Sequence, residues 1–467
     1  MVFSSLFFLF CFLPVNLLLY YSTGNSKLRN LILVIFSLFF YAWGEPIWVS
    51  LLIISSLVDF INGIYIEKYR GSSLAKLGII STLVFNLGIL FTFKYADFIT
   101  ENVNFVLGTS FTKPGFLLPI GISFYTFQTI SYTIDVYKGE VKAQRSFLNF
   151  LLFVSLFHQL VAGPIVRYSH ISSEIENRSF QWSEFSYGIH RFCKGLFKKV
   201  CIANIAGETA AHFLDGNFAE LPVMAAWFGI VLYSLQIYFD FSGYSDMAIG
   251  LGRMFGFHYH ENFNYPYIAR SVTDFWRRWH ISLSSCFRDY LYIPLGGNRK
   301  NAVRNILVVW AFTGLWHGAS WNFVLWGLYF GILLLLEKYL LKNLLEKLFP
   351  PLQNLYAMFL VVLGWALFYF TDLNRLFSFL QILFGHGSNP MSSFEFESIA
   401  FDHAYWLMLA LLLCTPVYSL VSRLLEKYAG RPANTFFLHH AFDFLLFGVS
   451  VSLLVGSSYN PFIYFRF

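Results

Sequence analysis

Charge is what this chain has least of: Asp, Glu, Lys and Arg together make 12% of its 467 residues, against 57% hydrophobic residues. Apolar runs recur from end to end, and so few charges cannot clothe a water-facing surface, which excludes a soluble globular class. Cysteine is scarce too. Cys11, Cys193, Cys201, Cys286 and Cys414 are odd in number and scattered, so neither a disulfide framework nor a zinc motif is expected. The first apolar stretch lacks a basic leader and an Ala-x-Ala-like cleavage site, and Pro14 interrupts it, so a removable signal peptide is not expected. With no internal repeat, low-complexity tract or long flexible linker, one integral-membrane domain over residues 1–467 is the simplest parse.

What is there reads as an all-α polytopic membrane protein with about eleven spanning helices. The candidate spans are Phe3–Tyr21, Leu31–Trp43, Ile47–Tyr65, Leu77–Tyr95, Phe116–Ile134, Phe147–Val161, Val223–Phe239, Ile306–Tyr329, Leu355–Phe370, Ala404–Val421 and Ala441–Val455. Those well short of a full crossing, with the mixed stretches Ser169–Asn204 and His258–Arg304, suggest re-entrant or interfacial helices around a central funnel. Basic residues follow the first, third and fifth runs (Lys27 and Arg29; Lys68, Arg70 and Lys76; Lys138, Lys142 and Arg145), whereas the second connection carries only Glu45. The positive-inside rule then places the N-terminus outside and those loops in the cytoplasm. The net charge of +6 gathers most visibly at Arg191, Lys194, Lys198 and Lys199, which anionic lipid headgroups explain better than nucleic acid.

The most informative segment is Gly314-Leu315-Trp316-His317-Gly318-Ala319-Ser320-Trp321, an imidazole inside an uncharged hydrophobic stretch. Ionisable groups at membrane depth are costly and tend to be functional. If Asn305 to Tyr329 is one helix, Trp310, Thr313, Gly314, His317 and Trp321 share a face, and small residues beside His317 leave room for a ligand. A second histidine lies in Asp274-Phe275-Trp276-Arg277-Arg278-Trp279-His280-Ile281-Ser282. At 100° per residue, Trp276, Trp279, His280, Leu283, Phe287 and Tyr290 form one apolar stripe of an amphipathic helix, so His280 points inward as well. Each histidine alone is equally a packed core residue; together they read as a site. A neutral imidazole suits a base that takes a proton from an attacking hydroxyl, and its neighbour suits orienting a donor or stabilising an oxyanion.

Other signals are weaker. Asp240 and Asp246 lie in Phe239-Asp240-Phe241-Ser242-Gly243-Tyr244-Ser245-Asp246, read as a turn where carboxylates cap helices or order a histidine. Arg277, Arg278, Arg288, Arg299 and Lys300 suit coenzyme A phosphates or lipid headgroups alike, so the donor-binding residues stay unassigned. His258-x-His260-Glu261 is too short a pattern for catalytic zinc, and no metal is expected; His439-His440 suits an interfacial role. Ser242-Gly243-Tyr244-Ser245 lacks the nucleophile-elbow spacing, so no acyl-serine is expected on this chain. Trp316 and Trp321 are candidate cavity walls.

Tyr238–Ala248, Asp274–His280, Tyr292-Ile293-Pro294-Leu295-Gly296-Gly297-Asn298 and Gly314–Ala319 closely resemble the membrane-bound O-acyltransferase (MBOAT) family in its bacterial, alginate O-acetylation branch. The resemblance extends in order through Met1–Ser5, Pro119–Gln128, Ala162-Gly163-Pro164-Ile165 and Asn460–Phe465. It implies the MBOAT fold, with two funnels meeting at the family's histidine, here His317, and with His280 at the second active-site position. It also implies acetyl-CoA as a cytoplasmic donor substrate, with no permanently bound cofactor. Further implied are an SGNH-hydrolase-like secreted or membrane-anchored partner, an exported polysaccharide acceptor and a bacterial inner membrane. His158-Gln159-Leu160 departs from the Pro-Gln-Leu or Pro-Gln-Ile of relatives, and Cys286 stands at a commonly aromatic position, which bears on pocket shape. Two alternatives stay open: D-alanyl transfer to teichoic acid from a carrier-protein thioester, and a transporter with a histidine proton relay.

Overall fold

The computed structural model describes residues 1–428, 432–457 and 459–463, the side chains of 422 and 424–437 aside. Tyr464 and Phe465 of the closing motif fall outside them. Every regular element among the described residues is helical. Among the described residues six helices are long and apolar enough to cross a membrane, including Val49–Lys68, Val223–Met254 and Pro350–Tyr369. A seventh arises if Phe394–Asp402 and Ala404–Leu413, bent by 56°, form one broken span. Other segments expected as spans are shorter than one crossing, such as Ser26–Ala42 and Phe147–Ser155.

The chain falls into two compact units, Met1–Gly195 with Tyr244–His260, and Leu196–Gly243 with Glu261–Phe467. In the first, Val49–Lys68, Ser73–Leu90 and Ile122–Lys138 pack around a polar seam rather than a purely apolar one. Asp59 accepts from Asn86 Nδ2 at 2.7 Å, and Asn86 Oδ1 accepts from Ser55 at 3.0 Å and Thr129 at 3.4 Å. Helices in lipid gain little from the hydrophobic effect against one another, so interhelical hydrogen bonds and small residues hold such a seam. In the same unit His158 is fully buried, and its Nδ1 lies 2.6 Å from the Tyr259 hydroxyl.

The second unit has an aromatic core that includes Trp276, Trp279, Trp326, Trp365, Phe330 and Phe368. Three expectations about its elements are corrected. The Phe239–Asp246 segment is not a turn: it lies inside the 32-residue helix Val223–Met254. The helix expected over Asn305–Tyr329 is two, Ala302–His317 and Trp321–Leu336, parted by extended backbone at Gly318 and Ser320. The amphipathic helix expected through His280 is also two, Val272–Arg278 and Ile281–Phe287.

Candidate active site

His280 sits at that second break, with φ 44° and ψ 54°, a left-handed conformation that costs a β-carbon residue roughly 1–2 kcal/mol. The segment Asn262–Asn264 compensates the cost. Asn264 N donates to Arg278 O at 2.9 Å and Ile281 N donates to Asn262 O at 3.0 Å, so the groups freed by the break are paired. The helix before the break is anchored at its other end by Glu337, which is buried and accepts from the backbone N–H of Val272 at 2.7 Å and of Thr273 at 2.8 Å. A carboxylate there satisfies orphan donors and complements the positive end of the helix.

The His280 side chain is 1% exposed. Its ring meets Phe241 edge-on at 4.6 Å between centroids and Trp316 at 5.9 Å. Nδ1 lies 3.2 Å from Asn262 Oδ1, and Nε2 has no hydrogen-bond partner among the described residues. Burial pushes the imidazole down to about 3, which keeps it neutral at physiological pH.

His317 ends its helix and is buried against Trp316 at 4.9 Å, Trp326 at 5.1 Å and Phe368 at 5.1 Å. Both imidazoles pack against Trp316, so the two histidines expected to face inward are brought to one aromatic neighbourhood. Trp316 is 5% exposed, whereas Trp321, the other expected cavity wall, is 53% exposed, because the break at Gly318 carries it off the His317 face. The small residues do a different job from the one expected. A β-carbon on Gly314 would lie 2.1 Å from Phe323 O, and one on Gly327 would lie 2.2 Å from Trp310 O. These glycines leave room for the neighbouring helix backbone, not for a ligand.

The charged candidates resolve differently as well. Lys199 and Asp240 form a buried ion pair of 2.6 Å, and Asp240 also accepts from Ile463 N at 2.7 Å. Arg191 pairs with Asp246 at 2.7 Å. Two members of the expected headgroup-binding cluster are thus paired with carboxylates inside the protein. Arg278 pairs with Asp274, while Arg277, Arg299 and Lys300 are exposed. His258 is held between Glu174 at 2.6 Å and Glu184 at 3.4 Å, and His260 packs on His170 at 4.4 Å. Among the described residues no three His, Cys, Asp or Glu side chains gather as a metal-binding group. His440 lies 3.8 Å from Asp443, one turn along its own helix.

Three residues near the site escaped the sequence reading. Asn262 meets the His280 ring from 18 positions away, and Glu337 caps the start of the helix that leads to His280 from 57 positions away, with no local pattern to mark either. Asn305, fully buried, donates to Gly297 O at 3.0 Å and Lys300 O at 2.7 Å, which fixes the Gly296-Gly297 loop where both glycines have positive φ.

The architecture is that of a multi-pass membrane protein, helical throughout its described residues, that buries two histidines against one tryptophan. The sequence pattern of the membrane-bound O-acyltransferase family, MBOAT, matches residues 2–380. The chain is 39% identical to the Probable alginate O-acetylase AlgI of Pseudomonas putida and 37% identical to that of Azotobacter vinelandii, each alignment covering all of both proteins. It is 32% identical to the Peptidoglycan O-acetyltransferase of Helicobacter pylori over all of this chain and 98% of that one. The chain belongs to the membrane-bound O-acyltransferase family and is a multi-pass membrane O-acyltransferase.

Proposed function

We propose that this protein takes an acetyl group from a cytoplasmic thioester, acetyl-CoA, and passes it across the inner membrane of a bacterium toward a hydroxyl of an exported polysaccharide. The single observation that carries the assignment to particular residues is the burial of two imidazoles that both pack against Trp316. The full-length likeness to alginate and peptidoglycan O-acetylating proteins supports polysaccharide as the acceptor class. In this reading the extracytoplasmic relay is an SGNH-hydrolase-like partner, and the N-terminus faces outside, as the distribution of Lys and Arg favours.

His317 is the proposed base. The acceptor hydroxyl oxygen attacks the thioester carbonyl carbon, its proton passes to the His317 imidazole, the carbon–sulfur bond breaks, and the thiolate leaves to collect that proton. His280, neutral because it is buried, is the second active-site residue. Water is excluded by Trp316, Trp326 and Phe368, which protects the thioester from hydrolysis.

Mild-base-released acetate from exported glycans tests this. With membrane abundance matched, His317→Ala should lower it by about 100-fold or more, the contribution of a positioned base. Acetate unchanged in both His317→Ala and His280→Ala would reject acetyl transfer at this site, and ester-linked alanine lost in their place would move the reading to aminoacyl transfer.

A further inference from the structure

The hydrogen bonds around Asn262 fix which nitrogen of His280 carries its proton. Asn262 is fully buried, and its Oδ1 receives the backbone N–H of Ser282 at 3.1 Å and the Ser282 hydroxyl at 2.8 Å. A backbone N–H can only donate, so the Asn262 atom facing Ser282 must be the amide oxygen rather than the nitrogen. His280 Nδ1 lies 3.2 Å from that same oxygen. The Ser282 hydroxyl, 3.5 Å from Nδ1, directs its hydrogen to Asn262 Oδ1 at 2.8 Å and so gives Nδ1 none; two acceptors do not attract, so Nδ1 carries the hydrogen and donates it. In a neutral imidazole the other nitrogen, Nε2, is then a bare lone pair. That atom is buried and has no partner among the described residues. A buried acceptor left unmade costs about 1–3 kcal/mol, a cost that a bound group can relieve.

We infer that His280 is a fixed hydrogen-bond acceptor, presenting the Nε2 lone pair to an O–H or N–H of a bound substrate, and that Asn262 is the positioning residue that locks this tautomer. The inference rests on the reading of His280 as part of the site. It narrows that reading, because an imidazole with Nε2 bare cannot donate to an oxyanion. The shared chemistry is a hydrogen-bond donor, supplied either by the acceptor hydroxyl or by an amide N–H on the carrier arm of the thioester.

The groups against the ring are Phe241 from the long helix, Trp316 from the His317 helix, and Asn262 and Ser282 from the flanking segment; the titratable group beyond Trp316 is His317. None of the four in contact is charged, in keeping with burial as the cause that holds the imidazole neutral.

Side-chain geometry supplies the test. The amide of glutamine reaches the Nε2 position, and that of asparagine reaches only Nδ1. In the full-length protein in membranes, His280→Gln should keep about tenfold more acetyl transfer than His280→Asn, the worth of one buried hydrogen bond. Asn262→Leu should lower the rate by about 10-fold or more at normal abundance. Asn262→Asp puts an acceptor carboxylate at Nδ1, stabilises the imidazolium and should bring in an acid limb at higher pH than in the parent, which a purely structural role would not do. A raised KM for acetyl-CoA in His280→Asn points to the carrier arm, and a lowered kcat at unchanged KM points to the acceptor hydroxyl. Nitrogen NMR of labelled histidine showing the hydrogen on Nε2 would overturn the inference. So would Asn262 variants that keep the parent rate and pH profile while His280→Ala is inactive. If His280→Ala is itself fully active, the underlying site reading fails instead.

Discussion

At the residue scale, burial sets how the histidines respond to acid. Burial lowers both His280 and His158 to about 3, with the positive charge of Arg178 adding to the effect at His158. An unfolded histidine takes its proton near pH 6.5, so below that value the unfolded state binds protons that the folded state refuses. Their contribution to stability is complete above about pH 6.5 and falls away as pH drops toward about 3. Thermal unfolding of the detergent-solubilised protein should therefore lose stability between about pH 6.5 and pH 4, and His280→Gln should flatten part of that loss. An identical slope in parent and variant would contradict a neutral buried His280. The sequence marked this residue as chemically suspect, since it falls on the apolar stripe of an expected amphipathic helix, but a left-handed histidine between two short helices has no signature at position 280.

At the scale of elements, the helical hairpin Ala302–His317 and Trp321–Leu336 carries His317, and its closeness depends on glycine. Gly314 and Gly327 face backbone atoms of the opposite helix, which cannot rotate aside. Gly314→Leu should force the helices apart at a cost of about 1–3 kcal/mol or more and displace His317 three residues on, with acetyl transfer lost beyond any loss of abundance. Gly88→Ala, at a helical glycine with nothing within 4 Å of the added carbon, should leave both abundance and activity unchanged. Abundance on immunoblots and released acetate check the pair; equal behaviour would remove the packing argument. Thr313, Gly314 and His317 are close enough in sequence for periodicity to group them, but Trp321 belongs to the next helix. The break comes from the chain turning at Gly318, where a β-carbon would lie 2.1 Å from the Phe323 ring.

At the scale of the molecule, the Lys199–Asp240 pair ties three distant parts of one unit together. Lys199 comes from the Lys198–Asn204 helical segment, Asp240 from the long helix, and both bind the closing segment, through Pro461 O and Ile463 N. Breaking a buried pair by removing one partner strands a charge and costs about 3–5 kcal/mol, whereas removing both is far milder. Lys199→Met and Asp240→Asn should each lower the thermal stability of the solubilised protein, and the double variant should recover most of it. Additive losses in the double variant would mean that the two charges do not stabilise one another. Arg191 and Lys199 look alike in a sequence, as members of one basic run; only the fold shows that each is paired with an aspartate of the long helix.

The sequence by itself determined the membrane class, the helical character, the family and the two histidines to suspect, because apolar length, charge scarcity and chemically costly residues are written one position at a time. The tertiary structure decided what those residues do to one another. It turned glycines from apparent ligand space into helix contacts and a supposed Phe-Asp-Phe-Ser-Gly turn into the middle of a helix. It also gave His280 its tautomer through Asn262, 18 residues earlier. A hydrogen bond has a direction and a partner, and neither exists until the chain has folded.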